Sequence, residues 1–432
     1  MKTSNIFCSS CLVLIVGTIL LLVEGLPLGN GGLLEQKTSR EVHKYGSRSD
    51  SFVLNEPLRI VKTEAGKVEV ISGDEEDLLR DENIGLNFVT IEPQALLLPQ
   101  YIDASCVVYV QQGKVRVGWV KDDQLNQEDM EIGDVFVIPG GTVFYLLNTD
   151  VGQRLRVFGL LDTSESLDKR GRFQSFYVAG GVDPPSILSG FDPDVVAAAF
   201  KVSRSEVTEI LDAQNQGPIV YTSRRQFEIM SRPSSTWSWS NIVRDYVPNI
   251  FQKGRTYRAY NLLKHHKGFR NNNGWSIAVD GEEYQPLKKV DAGVFAVSLK
   301  PGAMLAPHWN PRATEIAVVT NGTGTIEIVY PNGTSALSTK VEPGTIFVVP
   351  RYFPMCQIAS REGQFEFVGY STSSRPNRPQ FLAGSTSVLK ALDEETVAVA
   401  FDVPKERLRV ILDSQNDAVI LPGFIEPPRS VA

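Results

Sequence analysis

The sequence predicts a mainly β chain with helical extensions: two tandem small antiparallel barrels, each followed by a short helix pair. Three observations carry this. Short β-branched runs at 294–299, 315–320, 325–330 and 345–349 alternate with turns at Pro301-Gly302, Asn321-Gly322 and Asn332-Gly333, the texture of a β sandwich or barrel. A stretch at 106–139 is repeated at 315–350, and a helical stretch at 191–220 is repeated at 392–421. Internal repeats of this kind decide the architecture before any single element does.

In chain order, Met1-Lys2 precede an apolar run at 12–23 and then Glu24-Gly25. This is the pattern of a secretory signal peptide, residues 1–25. The run is shorter than the roughly 20 residues that span a bilayer, so no membrane association is expected once the signal is cut. Residues 26–50 are polar and Gly-rich without a period and read as a flexible arm. From Phe52 the β texture begins: 66–72 alternates, 74–81 is a charged loop and 86–92 is a strand. The first barrel with its helices is placed at 51–221. A connector at 222–290 holds surface loops, a short helix and the first strands of the second half. The second barrel with its helices is placed at 291–432.

In the repeat, CVVYVQQG (106–113) matches EIAVVTNG (315–322), and GDVFVIP (133–139) matches GTIFVVP (344–350), with offsets 322 − 113 = 209 and 344 − 133 = 211. Asn-Gly between two runs signals a hairpin, because both residues tolerate the positive φ of a type I′ turn. The helical repeat has offset 393 − 192 = 201, with Asp192 and Asp393 as N-caps of helices at 195–200 and 396–401. A second helix then starts at Ser203, or at the Val403-Pro404 step, with apolar residues at 207, 210, 211 and at 408, 411, 412. Each helix therefore carries one apolar stripe, to be buried on its own barrel or on a neighbouring subunit.

The 432 residues carry a net charge of −7 and no long Lys/Arg run, which argues against binding nucleic acid or an anionic membrane. Outside the signal only Cys106 and Cys356 remain, one per barrel, and they read as two buried free thiols. Asn321-Gly322-Thr323 and Asn332-Gly333-Thr334 are glycosylation sequons. Asn332, at a hairpin tip, is the better acceptor; Asn321 is expected to be shielded. His265-His266 has no acidic or Cys partner nearby and reads as part of an exposed loop.

The residues around His308 and Pro350 resemble the two motifs of the cupin superfamily, G-x5-H-x-H-x3,4-E-x6-G and G-x5-P-x-G-x2-H. The resemblance implies double-stranded β-helix (jelly-roll) barrels in which three His and one Glu converge on a metal. Gly302, His308, Glu315 and Gly322 fall on motif positions, whereas Asn310 and Met355 replace the second and third His and Tyr352 replaces a Gly. In the first barrel Gln100, Ile102, Cys106 and Phe144 stand where His, His, Glu and His would be. Two of four ligands survive in one barrel and none in the other, so His308 and Glu315 read as a vestigial metal pair, buried and hydrogen-bonded to each other. Asn310, Tyr352 and Cys356 are the candidate helpers of an adventitious Cu or Zn; no cofactor is expected.

Two such barrels with trailing helix pairs, a signal peptide, and the phrases SFYVAGG, LPQYIDASCVVYVQQGKVRVGWV and VILDSQNDAVILP are similar to vicilin-like 7S seed storage globulins of plants. Many of those carry long acidic or Gln/Arg-rich N-terminal extensions, where this chain has only the arm at 26–50. The resemblance implies a non-enzymatic nutrient reserve, homotrimers joined through the helical extensions, and deposition in protein storage vacuoles. Two other readings share the fold. One is a small-ligand- or metal-binding bicupin, either holding a sugar or small aromatic acid in a barrel whose walls Ile102, Phe144 and Met355 make mostly apolar, or keeping a residual site in the second barrel. The other is a metal-dependent oxidase or dismutase, against which the missing histidines count.

Overall fold

The computed structural model describes residues 52–54, 59–73, 76–168, 172–232, 258–264 and 268–423. The expected signal peptide, the arm and His265-His266 lie outside the described residues. Four antiparallel sheets make up two barrels, each a six-stranded sheet facing a seven-stranded one. In the second barrel the seven-stranded sheet runs Val53–Leu54, Ile346–Val349, Glu315–Asn321, Phe365–Ser371, Gly293–Leu299, Gly274–Val279, Gly268–Asn271. Its opposite sheet is centred on Gly324–Val329, Met355–Ala359 and Met304–Trp309.

Strand alternation sorts the side chains of these runs into two cores. On the Glu315–Asn321 strand, Ala317 and Val319 enter the barrel interior, while Ile316 and Val318 face the other barrel. The Gly293–Leu299 strand is buried along its whole length for the same reason, which is why it reads as a continuous apolar run rather than an alternating one. The two seven-stranded sheets pack face to face through a shared cluster that includes Leu86, Val107, Phe158, Val294, Val368 and Tyr370.

The halves are also laced together by exchanged strands. Val53–Leu54, assigned from sequence to the first barrel, pairs with Ile346–Val349 of the second. Its repeat counterpart Tyr260–Asn261 (260 − 53 = 207) pairs with Asp134–Ile138 of the first. A two-residue strand leaves no periodic signal in the sequence, and its partner is a question of edge availability alone.

Three local expectations are corrected. The charged loop at 74–81 contains a helix, Asp77–Asp81, because Leu79 is driven fully into the cluster between the barrels. Neither Asn-Gly pair forms a type I′ turn, since only the glycines have positive φ (Gly322 70°, Gly333 82°). Asn332-Gly333 does close a hairpin, between Gly324–Val329 and Ser335–Val341; Gly333 N–H donates to the Tyr330 carbonyl, and Pro331 favours the ordinary type I turn that this bond closes. Asn321-Gly322 is not a hairpin. It carries the chain from one sheet of the barrel to the other, and a Cβ on Gly322 would lie 1.7 Å from the Gln364 carbonyl.

The helix pairs are Pro193–Phe200 with Arg204–Asp212 and Glu394–Phe401 with Lys405–Asp413. Asp192 and Asp393 cap the first helix of each, and Ser203 forms a capping box with Glu206. The expected apolar stripes are split. Val207 and Leu408 are buried in small clusters formed within each pair, but Ile210 and Ile411 are exposed. In the connector, Arg224–Met230 is a helix whose C-terminal carbonyl at Met230 accepts from the buried Arg116 guanidinium (2.6 Å), which also grips Asp129. Cys106 and Cys356 are free and buried, as the sequence suggests.

Across the barrel interface the Tyr370 hydroxyl donates to the Phe158 carbonyl at 2.7 Å, with the Val107 carbonyl 3.1 Å away. A Tyr370→Phe variant keeps the ring and loses this bond. It should unfold at lower urea, with a stability loss of about 1 kcal/mol, while its far-ultraviolet circular dichroism is unchanged.

Candidate functional site

Inside the second barrel a cavity of about 320 Å³ is lined by His308, Glu315 and an apolar wall that includes Phe269, Phe295, Phe367 and Phe381. His308 comes from the Met304–Trp309 strand and Glu315 from the first position of Glu315–Asn321, so facing sheets bring the two side chains into one chamber. Neither Asn310, Tyr352 nor Cys356 lines it.

The expected hydrogen-bonded pair does not form. His308 Nδ1 sits 2.7 Å from the Ala306 carbonyl, and no hydrogen bond joins it to Glu315 among the described residues. The strand bulges between Leu305 and His308, which folds the ring back onto its own backbone. A carbonyl can only accept, so Nδ1 carries the proton and Nε2 keeps a lone pair in the neutral ring. Burial lowers the His308 pKa to about 4, the bond to Ala306 opposing this. Burial raises the Glu315 pKa to about 7. The neighbouring Asn310 amide opposes that rise, though neither of its polar atoms makes a hydrogen bond of normal geometry.

The three candidate helpers are accounted for otherwise. Tyr352 is 60% exposed, and the Arg351 guanidinium lies 5.0 Å from its ring centroid. It stands at φ 76°, the reason the related motif carries Gly there, and its N–H donates to the Asn310 carbonyl at 3.0 Å. Cys356 points away from its neighbour Met355, as alternation requires, and its thiol donates to the Leu305 carbonyl at 3.3 Å. Burial raises its pKa to about 12, and its thiol is engaged outside the chamber. Asn310 and Met355 are buried, but an amide and a thioether do not restore the lost imidazoles. The described residues contain no group of three His, Cys, Asp or Glu placed to hold a metal. The donor set does not fit a resident Cu or Zn.

Sequence reasoning missed the chamber's mouth. Ser371, at the end of the Phe365–Ser371 strand, and Arg375 and Asn377 after it line the chamber, and Asn377 Oδ1 is buried without a hydrogen-bond partner. Pro376 lies between Arg375 and Asn377, and Pro379 follows two residues later, a turn signal that the motif comparison does not reach. Asn321 was expected to be shielded and is exposed, as is Asn332.

The two perturbed groups act on stability with opposite signs. The Glu315 pKa is raised, so its stabilising contribution is full below pH 4.5 and is lost as pH rises toward and through about 7. The His308 pKa is lowered, so its contribution is present above pH 6.5 and lost as pH falls toward about 4. Glu315→Gln, neutral at every pH, should therefore match the parent near pH 4.5 and exceed it at pH 8 by up to about 3 kcal/mol. Urea unfolding at the two pH values measures this.

The cupin family model matches residues 52–208 and 260–409. A vicilin-like seed storage protein of Arabidopsis thaliana is 38% identical over 428 residues, covering 89% of this chain and 83% of that protein. A vicilin of Corylus avellana is 28% identical over 376 residues, covering 84% of this chain and 80% of that protein. The crystal structure of hazelnut vicilin superposes with a TM-score of 0.75 at 27% identity, covering 87% of this chain and 99% of that one. A Solanum melongena vicilin structure, 22% identical with a TM-score of 0.78, shares the fold. Two cupin barrels with a decayed ligand set, each followed by a capped helix pair, and a relative at this identity agree: the chain belongs to the cupin family, among its vicilin-like seed storage proteins.

Proposed function

We propose that this storage protein is a reserve without catalytic activity, assembled as a homotrimer through its two helix pairs and carried by the secretory pathway to a storage vacuole. The observation that supports this most is the apolar face each helix pair leaves uncovered in a single chain. Phe191, Val195, Phe200 and Ile210 are exposed on the first pair, and Leu392, Val399, Phe401, Val410 and Ile411 on the second. Contiguous apolar patches of this kind mark association surfaces. Two such faces per chain, built on repeated elements, suit a head-to-tail contact in which the first pair of one copy meets the second pair of the next, and such contacts close into a ring.

The absence of catalysis is supported by the donor set: a neutral imidazole, a carboxyl pushed up to about 7 and an apolar chamber give neither a metal centre nor a paired acid and base in contact. Delivery through the secretory pathway is supported by the N-terminal pattern, the two exposed sequons and the storage relatives. No helix among the described residues is long and apolar enough to cross a membrane. A second reading, a residual small-ligand site, is favoured by the chamber around His308 and the unpartnered Asn377 Oδ1.

Ile210→Asp and Val410→Asp test the assembly. Both residues are exposed in the single chain, 65% and 72%, so the fold of one copy should survive either change. Sedimentation velocity should show a trimer for the parent and monomers for the double variant. An unchanged trimer would remove the helix pairs from the contact.

A further inference from the structure

The first barrel holds its own cavity, of about 440 Å³, within the size range of small-molecule sites. It occupies the same place as the chamber in the second barrel, but its chemistry differs. Gln100 takes the place of His308 (308 − 100 = 208), and Asn87 takes the place of Phe295 (295 − 87 = 208). The register confirms the second match: Asn87 lies opposite Gly159 as Phe295 lies opposite Gly369. A Cβ on Gly159 would fall 1.9 Å from Asn87 Oδ1. Only glycine leaves room for this amide to lie across the sheet at the cavity wall.

Both amides are incompletely satisfied. Gln100 is 5% exposed, and its Oε1, like Asn87 Oδ1, is buried with no hydrogen-bond partner. Buried amide oxygens are nearly always paired, and two unpaired ones lining a single cavity call for a donor from elsewhere. Among the described residues, no Lys, Arg, His, Asp or Glu lines this space. Its two ionisable groups, Cys106 and Tyr177, both have pKa values pushed up to about 12, chiefly by burial. The cavity is therefore uncharged at neutral pH, and a carboxylate or ammonium ligand would be desolvated there without a counter-charge. Gln174 and Ser175 add two uncharged polar groups, and the rest of the wall is mainly apolar, with Ile102, Val108, Phe144 and Leu146.

We propose that the first barrel binds a small, uncharged, mainly apolar molecule carrying hydroxyl groups, the phenols being the simplest class. A hydroxyl donates to an amide oxygen and accepts from an amide N–H, so one such group answers Gln100, which stands where His308 does in the other barrel, while the ring fills the apolar wall. The site stands apart from the storage reading: a reserve protein with or without it is still a reserve protein.

The test is titration calorimetry on the full protein at pH 7 with three probes of one shape: 2-naphthol, naphthalene and 2-naphthoate. The expected result is one 2-naphthol per chain, bound at least about tenfold more tightly than either of the others. Gln100→Leu should bring 2-naphthol down to the affinity of naphthalene, and urea unfolding should show that variant at least as stable as the parent. His308→Leu, in the other barrel, should change nothing. Equal binding of 2-naphthol and naphthalene, a preference for 2-naphthoate, or no binding up to the solubility limit would overturn the proposal on the unaltered protein alone. So would loss of 2-naphthol binding in His308→Leu with retention in Gln100→Leu.

Discussion

The contact between the two seven-stranded sheets is what the rest of the molecule depends on. Each sheet has an inner face that closes its own barrel and an outer face that would be apolar surface without the other half. Tyr370 of the second barrel is fully buried at this junction, its ring 4.8 Å from that of Phe158, which stacks in turn on Phe88. Its hydroxyl reaches backbone carbonyls of the first barrel, so the interface fixes position as well as burying area. The exchanged strands Val53–Leu54 and Tyr260–Asn261 extend these same two sheets, and the short helix Asp77–Asp81 contributes Leu79 to the same cluster.

Because the outer faces are spoken for, the two chambers lie in the barrel interiors, and the helix pairs are left with exposed apolar residues. In the interiors, one duplicated framework now carries two different chambers. The second keeps an imidazole and a carboxyl whose charged forms burial disfavours. The first has neutral amides and a thiol at the corresponding places. Equivalent strand positions face inward in both barrels whatever residue occupies them, because strand alternation and register dictate which side chains enter the interior. The helix pairs answer a different constraint. Each has only a few residues of private core, too little to bury the apolar residues that remain exposed on it.

Much of this was legible in the residues themselves. The repeats at 106–139 and 315–350 gave two barrels, the period-two runs gave their strands, and Asp192, Asp393 and Ser203 marked helix starts that the capping geometry bears out. His308 and Glu315, which the motif positions single out, both line the chamber of the second barrel. The hydrogen-bonded pair failed because a bulge after Leu305 gives the imidazole a backbone carbonyl closer at hand. Tyr352 failed as a helper because its left-handed backbone turns the ring out to solvent. Asn87 escaped notice altogether, since nothing local distinguishes an inward asparagine from an outward one until its strand is paired with Gly159.

What the sequence by itself determined is therefore composition at fixed spacing: the number of barrels, the inward and outward alternation, the helix caps, and which positions of the related motif carry no imidazole or carboxylate. Those are properties of neighbours along the chain, set by steric and hydrogen-bonding preferences that act over a few residues. Tertiary structure alone decided the partners: which edge Val53–Leu54 joins, whether Asn321-Gly322 closes a hairpin or crosses between sheets, where the His308 proton goes, and which apolar faces stay uncovered. Each of these is a competition between groups far apart in sequence, and its outcome depends on distances that exist only once both sheets have closed.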